Sequence, residues 1–134
     1  GRLSLPASLA GLSLQTPPGD GAGVEPGLVC PDAPVTGSDG KAGFLLDRLG
    51  GDFCWLAVGD LAVPPSGERL VRVGAGGLGD PQGLVAARYG VDLLYLIRPD
   101  QHVAARLARP TAAMMADALA RAGGATLRRD ERAA

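Results

Sequence analysis

Val91-Asp92-Leu93-Leu94-Tyr95-Leu96-Ile97, Arg98-Pro99-Asp100-Gln101 and His102-Val103-Ala104-Ala105-Arg106-Leu107 follow one another without a gap. The first block is an apolar run of strand length, of the kind that is covered on both faces of a sheet. The second places Pro and Asp at the centre of a four-residue turn. The third returns as the antiparallel partner of the first. This hairpin anchors the reading of everything around it.

Upstream, Asp52-Phe53-Cys54-Trp55-Leu56-Ala57-Val58-Gly59 is a second continuous apolar run, and Glu68-Arg69-Leu70-Val71-Arg72-Val73 alternates like a strand with one wetter face. Pro64-Pro65-Ser66-Gly67 marks the loop between them. Ser38-Asp39-Gly40-Lys41 reads as a turn, and Ala42–Leu49 as a short helix with Phe44, Leu45 and Leu49 on one side and Gly50-Gly51 as its stop. Asp80-Pro81 opens a helix running to Tyr89 and ending at Gly90, with the carboxylate positioned to accept orphan backbone N–H groups. Downstream of the hairpin, Thr111 caps a helix through Arg121 that Gly123-Gly124 should end. Its Asp117 and Arg121 are spaced as an i,i+4 pair.

The order is helix, buried strand, strand, helix, buried strand, turn, strand, helix. Parallel strands joined through a helix, then an antiparallel hairpin and a closing helix, predict an α/β fold: a thioredoxin-like mixed sheet flanked by helices. It lacks a Cys-x-x-Cys motif, because the two cysteines are Cys30 and Cys54. Residues 1–25 read as a linker or N-terminal extension, with Leu3–Leu14 patterned as an edge strand that leans on something else. Thr16-Pro17-Pro18-Gly19-Asp20-Gly21 is the linker proper. Residues 26–124 form the domain and 125–134 a charged tail. The chain opens on Gly1 rather than Met, which predicts a fragment or a processed chain.

Composition narrows the function. Gly and Pro occupy 21 and 11 of 134 positions, yet 46% of residues are hydrophobic, enough for a real core. Thirteen basic and fourteen acidic residues are scattered, which argues against nucleic acid and membrane surfaces as partners. No apolar run is long enough to cross a bilayer, and no basic start followed by an apolar run suggests a signal peptide. Two cysteines are too few for a disulfide scaffold, so a reduced, cytoplasmic setting is expected.

Gly74-x-Gly76-x-x-Gly79 follows a predicted strand and precedes a helix, with Asp100 about twenty residues on, as in a dinucleotide fingerprint. In that motif the helix begins within the glycines, so that its N–H groups face the pyrophosphate. Pro81 would then fall inside the first turns, and Asp80 would repel phosphate. A flexible glycine loop is the expectation. Cys54 is read as a buried apolar filler. Cys30, ahead of Pro31 in an extended segment, is read as partly exposed, with no base or helix N-terminus to make a thiolate. His102 is a rim residue without a nucleophile beside it. Asp32, Asp47 and Asp60 are isolated carboxylates that cap or solvate, and Arg98 pairs with a surface acid. Trp55 and Tyr95 are core and rim aromatics. No residue is assigned to catalysis, cofactor or metal.

Arg88-Tyr89-Gly90-Val91 and Tyr95-Leu96-Ile97-Arg98-Pro99-Asp100-Gln101-His102-Val103-Ala104-Ala105-Arg106 resemble a stretch near the C-terminus of FAD-dependent aromatic-ring hydroxylases, the group of phenol hydroxylase and hydroxyphenylpropionate hydroxylase. Pro26-Gly27, Pro31-Asp32-Ala33-Pro34 and Leu45-Leu46-Asp47-Arg48-Leu49-Gly50-Gly51-Asp52-Phe53 are similar to the opening of the same domain. The resemblance spans roughly residues 26–122. It implies a C-terminal thioredoxin-like domain with a structural or subunit-contact role. The FAD-binding and substrate region would be a missing N-terminal partner, and FAD and NAD(P)H would be cofactors of the parent enzyme rather than of this chain. A homo-oligomer is a further implication. Two other readings stay open: a free-standing thioredoxin- or peroxiredoxin-type thiol protein using Cys30, and a stand-alone binding module whose partner docks on the sheet edge or on Leu3–Leu14.

Overall fold

A computed structural model describes residues 23–133, with side chains described through residue 123. The expected strand at Leu3–Leu14 and the linker after it lie outside the described residues. The elements are β1 (Pro34–Thr36), β2 (Ala42–Phe44), a 3₁₀ turn (Leu45–Arg48), β3 (Cys54–Val58), β4 (Arg69–Val73), α1 (Leu84–Tyr89), β5 (Leu93–Ile97), β6 (Val103–Ala108) and α2 (Ala112–Ala133).

The main sheet has four strands in the order β4-β3-β5-β6. β3 and β4 are parallel, with Leu56 opposite Val71, while β5 runs antiparallel to both β3 and β6. This mixed order, with a helix packed on each face, is consistent with a thioredoxin-like fold. Alternation along β3 and β5 explains the two apolar layers, because successive side chains point to opposite faces. Cys54, Leu56, Val58, Tyr95 and Ile97 pack with Val35, Leu45, Val85 and Tyr89 on one face. Trp55, Ala57, Leu94, Leu96 and Leu107 pack with Met115, Ala118 and Ala122 of α2 on the other. Ala104 is the extra residue of a bulge: Ile97 pairs with Val103 and Leu96 with Ala105.

Four expectations need correction. Ala42–Leu49 is not one helix. Its first three residues pair with β1 across the Ser38–Lys41 turn to form a small hairpin, and Phe44 is exposed. Only Leu45–Arg48 winds, as a 3₁₀ turn whose Leu46 N–H is held by the Asp32 carboxylate at 3.0 Å. Second, α1 starts at Leu84, not at Pro81. Asp80 to Gly83 form a turn closed by Gly83 N–H on the Asp80 carbonyl (3.0 Å), with Gly83 at φ 69°. Third, the parallel pair is not joined through a helix. Pro64, Pro65 and Gly67 lie between β3 and β4 and keep the link irregular. Leu61 and Val63 of that link pack on the Trp55 face, and Trp55 Nε1 donates to Ser66 Oγ at 3.2 Å. Fourth, α2 continues through Gly123-Gly124 to Ala133, across most of the segment expected to be a charged tail. An internal glycine costs a helix about 1 kcal/mol but need not end one.

The packed region also begins ahead of Pro26. Val24 is buried; its N–H donates to the Tyr95 hydroxyl (3.0 Å), and its carbonyl accepts from Arg106 Nη1 (3.3 Å). Arg106, on β6 opposite Tyr95, is only 3% exposed, with Glu25 at 3.6 Å as its counter-charge.

Candidate functional site

The glycine loop after β4 is folded back on the protein. Leu78 N–H donates to the Arg72 carbonyl (2.8 Å) and Gly74 N–H to the Leu78 carbonyl (2.9 Å), while Gly79 exchanges both main-chain bonds with Thr36. A Cβ at Gly77 would lie 2.3 Å from the Arg72 carbonyl oxygen, and one at Gly79 would lie 2.2 Å from Thr36 Oγ1. These two glycines are therefore explained by close approach of the loop to β4 and β1.

The N–H groups at the start of α1 are also taken. Asp80 Oδ1 accepts from Val85 N–H (3.1 Å) and Oδ2 from Ala86 N–H (3.0 Å). A pyrophosphate would need those amides and would meet a carboxylate already seated on them. The described residues around this loop do not fit FAD or a nicotinamide cofactor.

Cys30 corrects an expectation: it is not partly exposed but buried, only 2% accessible. Burial pushes its thiol up to about 12, although a hydrogen bond with Tyr89 pulls the other way. Cys54, in the middle of the sheet, is also raised, again mainly by burial. Neither sulfur lies at a helix N-terminus, and a thiol held protonated is a poor nucleophile. The geometry disfavours the thiol-protein reading.

The Arg98–His102 turn is bound up in its own structure. Arg98 Nη2 pairs with Asp100 Oδ2 at 3.0 Å, and His102 Nδ1 lies 3.2 Å from the Asp100 carbonyl. Gln101, at φ 65°, sends Nε2 to the carbonyls of Leu46 (2.8 Å) and Leu49 (2.9 Å), and Gly51 N–H reaches the Pro99 carbonyl (3.0 Å). The most distinctive stretch of the sequence thus clamps the β5–β6 hairpin to the 3₁₀ turn. Sequence reasoning missed Gln101, whose partners lie more than fifty residues away. Asp32 caps as expected, accepting from Ala33 and Leu46.

Where β3 ends, an open cleft of about 610 Å³ is lined by Asp60, Leu61, Ala62, Asp92, Arg109 and Pro110. Carboxyl ends of parallel strands are where open α/β sheets bind ligands, but none of these six residues is a cysteine or histidine. Among the described residues, no group of three or more His, Cys, Asp or Glu could hold a metal ion, and no helix is long and apolar enough to cross a membrane.

No protein-family model matches the chain, and no curated protein matches it. Solved structures do. The flavin-dependent monooxygenase PieE, solved with FAD and substrate, is 27% identical with a TM-score of 0.62, over 79% of this chain and 22% of its own. Aklavinone-11 hydroxylase, solved with FAD and aklavinone, is 29% identical with a TM-score of 0.58, over 72% of this chain and 21% of its own. The neighbours are FAD-dependent monooxygenases, and the chain is related to part of them. It spans about a fifth of the length of the structures it matches.

Proposed function

We propose that this chain is the non-catalytic, C-terminal thioredoxin-like domain of an FAD-dependent aromatic-ring monooxygenase that uses FAD and NAD(P)H, with a structural or subunit-contact role. The observation that carries the reading is the asymmetry of coverage. PieE matches 79% of this chain, but the match takes in only 22% of PieE. That asymmetry supports reading the chain as one module of a longer enzyme. The interior supports a structural role: both thiols are buried, the glycine loop is closed by its own hydrogen bonds, and Asp80 sits on the amides of α1.

The reading is tested in two ways. The reading frame upstream of Gly1 should encode an FAD-binding region, and a stop codon there overturns the proposal. FAD titrated into the 134-residue chain should show no change in flavin fluorescence or absorbance. Stoichiometric binding would place a cofactor site in this chain and overturn the non-catalytic assignment.

A further inference from the structure

We infer that residues 23–30 are a latch that swings off the outer edge of β6 as one unit while the rest of the fold stays closed, uncovering Cys30 and that edge. The segment lies antiparallel to β6, with Val29 bridged to His102. Gly27 N–H donates to the Val103 carbonyl (2.7 Å), Val103 N–H to the Leu28 carbonyl (2.9 Å) and Cys30 N–H to the Gln101 carbonyl (2.8 Å). At the other end, the bonds of Val24 to Tyr95 and Arg106 and the charge of Glu25 hold it to the sheet. Gly23, at φ 92°, leaves no room for a side chain: a Cβ there would run into the Tyr95 hydroxyl and the Tyr89 carbonyl.

The latch ends abruptly at Pro31. From there the chain is fastened to other elements: the Tyr89 hydroxyl donates to the Pro31 carbonyl (2.5 Å), and the Arg88 guanidinium to the Asp32 carbonyl. The Asp32 carboxylate then takes the N–H groups of Ala33 and Leu46. These partners belong to α1 and the 3₁₀ turn, not to β6, so the latch can leave without disturbing them. The edge beneath it is also held independently. β6 pairs with β5 from Val103 to Ala108, and its Ala104, Ala105 and Leu107 pack with Met115 and Ala118 of α2.

The latch also gives little to the core. Val24, Pro26 and Cys30 are buried, but Leu28 and Val29 turn outward, 40% and 59% exposed. β3 and β5, by contrast, are buried almost throughout. A segment with few buried apolar contacts opens at a lower free energy than the core strands. Opening lets water reach Arg106, 3% exposed when the latch is shut, and this offsets part of the lost hydrogen bonding. The Tyr95 hydroxyl keeps its bond to the Tyr89 carbonyl. Residues 1–22 join the domain through this latch, so a load on them is carried to it first.

The test treats the full 134-residue chain with iodoacetamide in urea below the unfolding transition and follows each thiol by mass spectrometry. Relative to its rate in guanidinium, Cys30 should react at least tenfold faster than Cys54. Gly23→Ala crowds the latch and Glu25→Lys repels Arg106. Each should speed Cys30 about a further tenfold and leave Cys54 within about twofold. Met115→Ala weakens the α2 face of the core and should do the reverse, speeding Cys54 alone. In amide-exchange NMR, Gly27, Cys30 and Val103 should share one opening free energy, lower than that of β3 and β5. Equal rates for the two thiols, latch variants that speed both or neither, or Met115→Ala speeding both would each overturn the proposal. So would exchange of the Gly27 and Val103 amides only together with the core strands.

Discussion

Tyr95 donates its phenolic hydrogen to the main-chain carbonyl of Tyr89, and the two rings meet edge to face with centroids 5.3 Å apart and planes at 84°. The same hydroxyl accepts Val24 N–H at 3.0 Å. One buried oxygen therefore ties the end of α1 and the strap at Val24 to the centre of the sheet. Removing it in Tyr95→Phe strands a buried donor and a buried acceptor, a loss of about 1–3 kcal/mol. The urea midpoint should fall with unchanged slope. An unchanged midpoint would mean that water replaces the hydroxyl.

Alkaline stability follows from buried acids. Cys30 is raised from 9.0 to about 12, and Cys54, Tyr89 and Tyr95 are also raised, each mainly by burial. The folded state holds these protons more tightly than the unfolded chain does. For Cys30 that contribution is complete below about pH 9 and is lost as pH climbs toward 12, and the other three groups add loss in the same direction on the alkaline side. Each such group adds a slope of about 1.4 kcal/mol per pH unit inside its window. Urea unfolding at pH 8, 9, 10 and 11 should show accelerating loss, and Cys30→Ala should flatten the curve. A flat profile for the native sequence would show that these groups are hydrated.

Thiol labelling reads the same burial kinetically. Maleimide at pH 7.5 should leave both cysteines unmodified in the folded chain for hours and label both at once in guanidinium. Rapid labelling of Cys30 alone under native conditions would revive a thiol-based role.

Asp80 binds two amides of α1, so Asp80→Ala should cost about 0.5–2 kcal/mol, in the range of a lost helix cap. Asp80→Asn should recover part of that loss, because one acceptor oxygen remains. Thermal unfolding of the two variants side by side checks the order.

Gln101→Ala removes the amide that serves the carbonyls of Leu46 and Leu49, and about 1–3 kcal/mol is expected to go with it. Gln101→Glu should be worse at neutral pH, because a carboxylate would face two carbonyl oxygens. If Gln101→Glu proves as stable as the native chain, the clamp is not holding the turn.

The four strands of the main sheet and the caps at Asp80, Gly90 and Thr111 were legible in the sequence because each is a local signal: an apolar run, a turn dipeptide, a capping side chain. The small hairpin was not. Ala42, Gly43 and Phe44 carry no strand pattern of their own, and only pairing with Pro34–Thr36 makes them extended. The spacing of Phe44, Leu45 and Leu49 mimicked a helical face, although Phe44 is exposed. The turn at Ser38–Lys41 was visible, but the partner of the strand leading into it was not. At the candidate site, the objection to a nucleotide in the glycine loop could be argued from Pro81 and Asp80 alone. The clamp of Gln101 and the anchoring of Val24 by Arg106 depend on contacts between distant residues, and composition and spacing carry no trace of them.

Arg106 has a consequence for assembly. Within the completed protein its charge is met by Glu25 and by the Val24 carbonyl. A β5–β6 hairpin formed before those residues arrive would present a bare cation in the middle of an apolar ribbon. Two such ribbons meeting by mistake would have to trap that charge away from water, a cost that opposes their association.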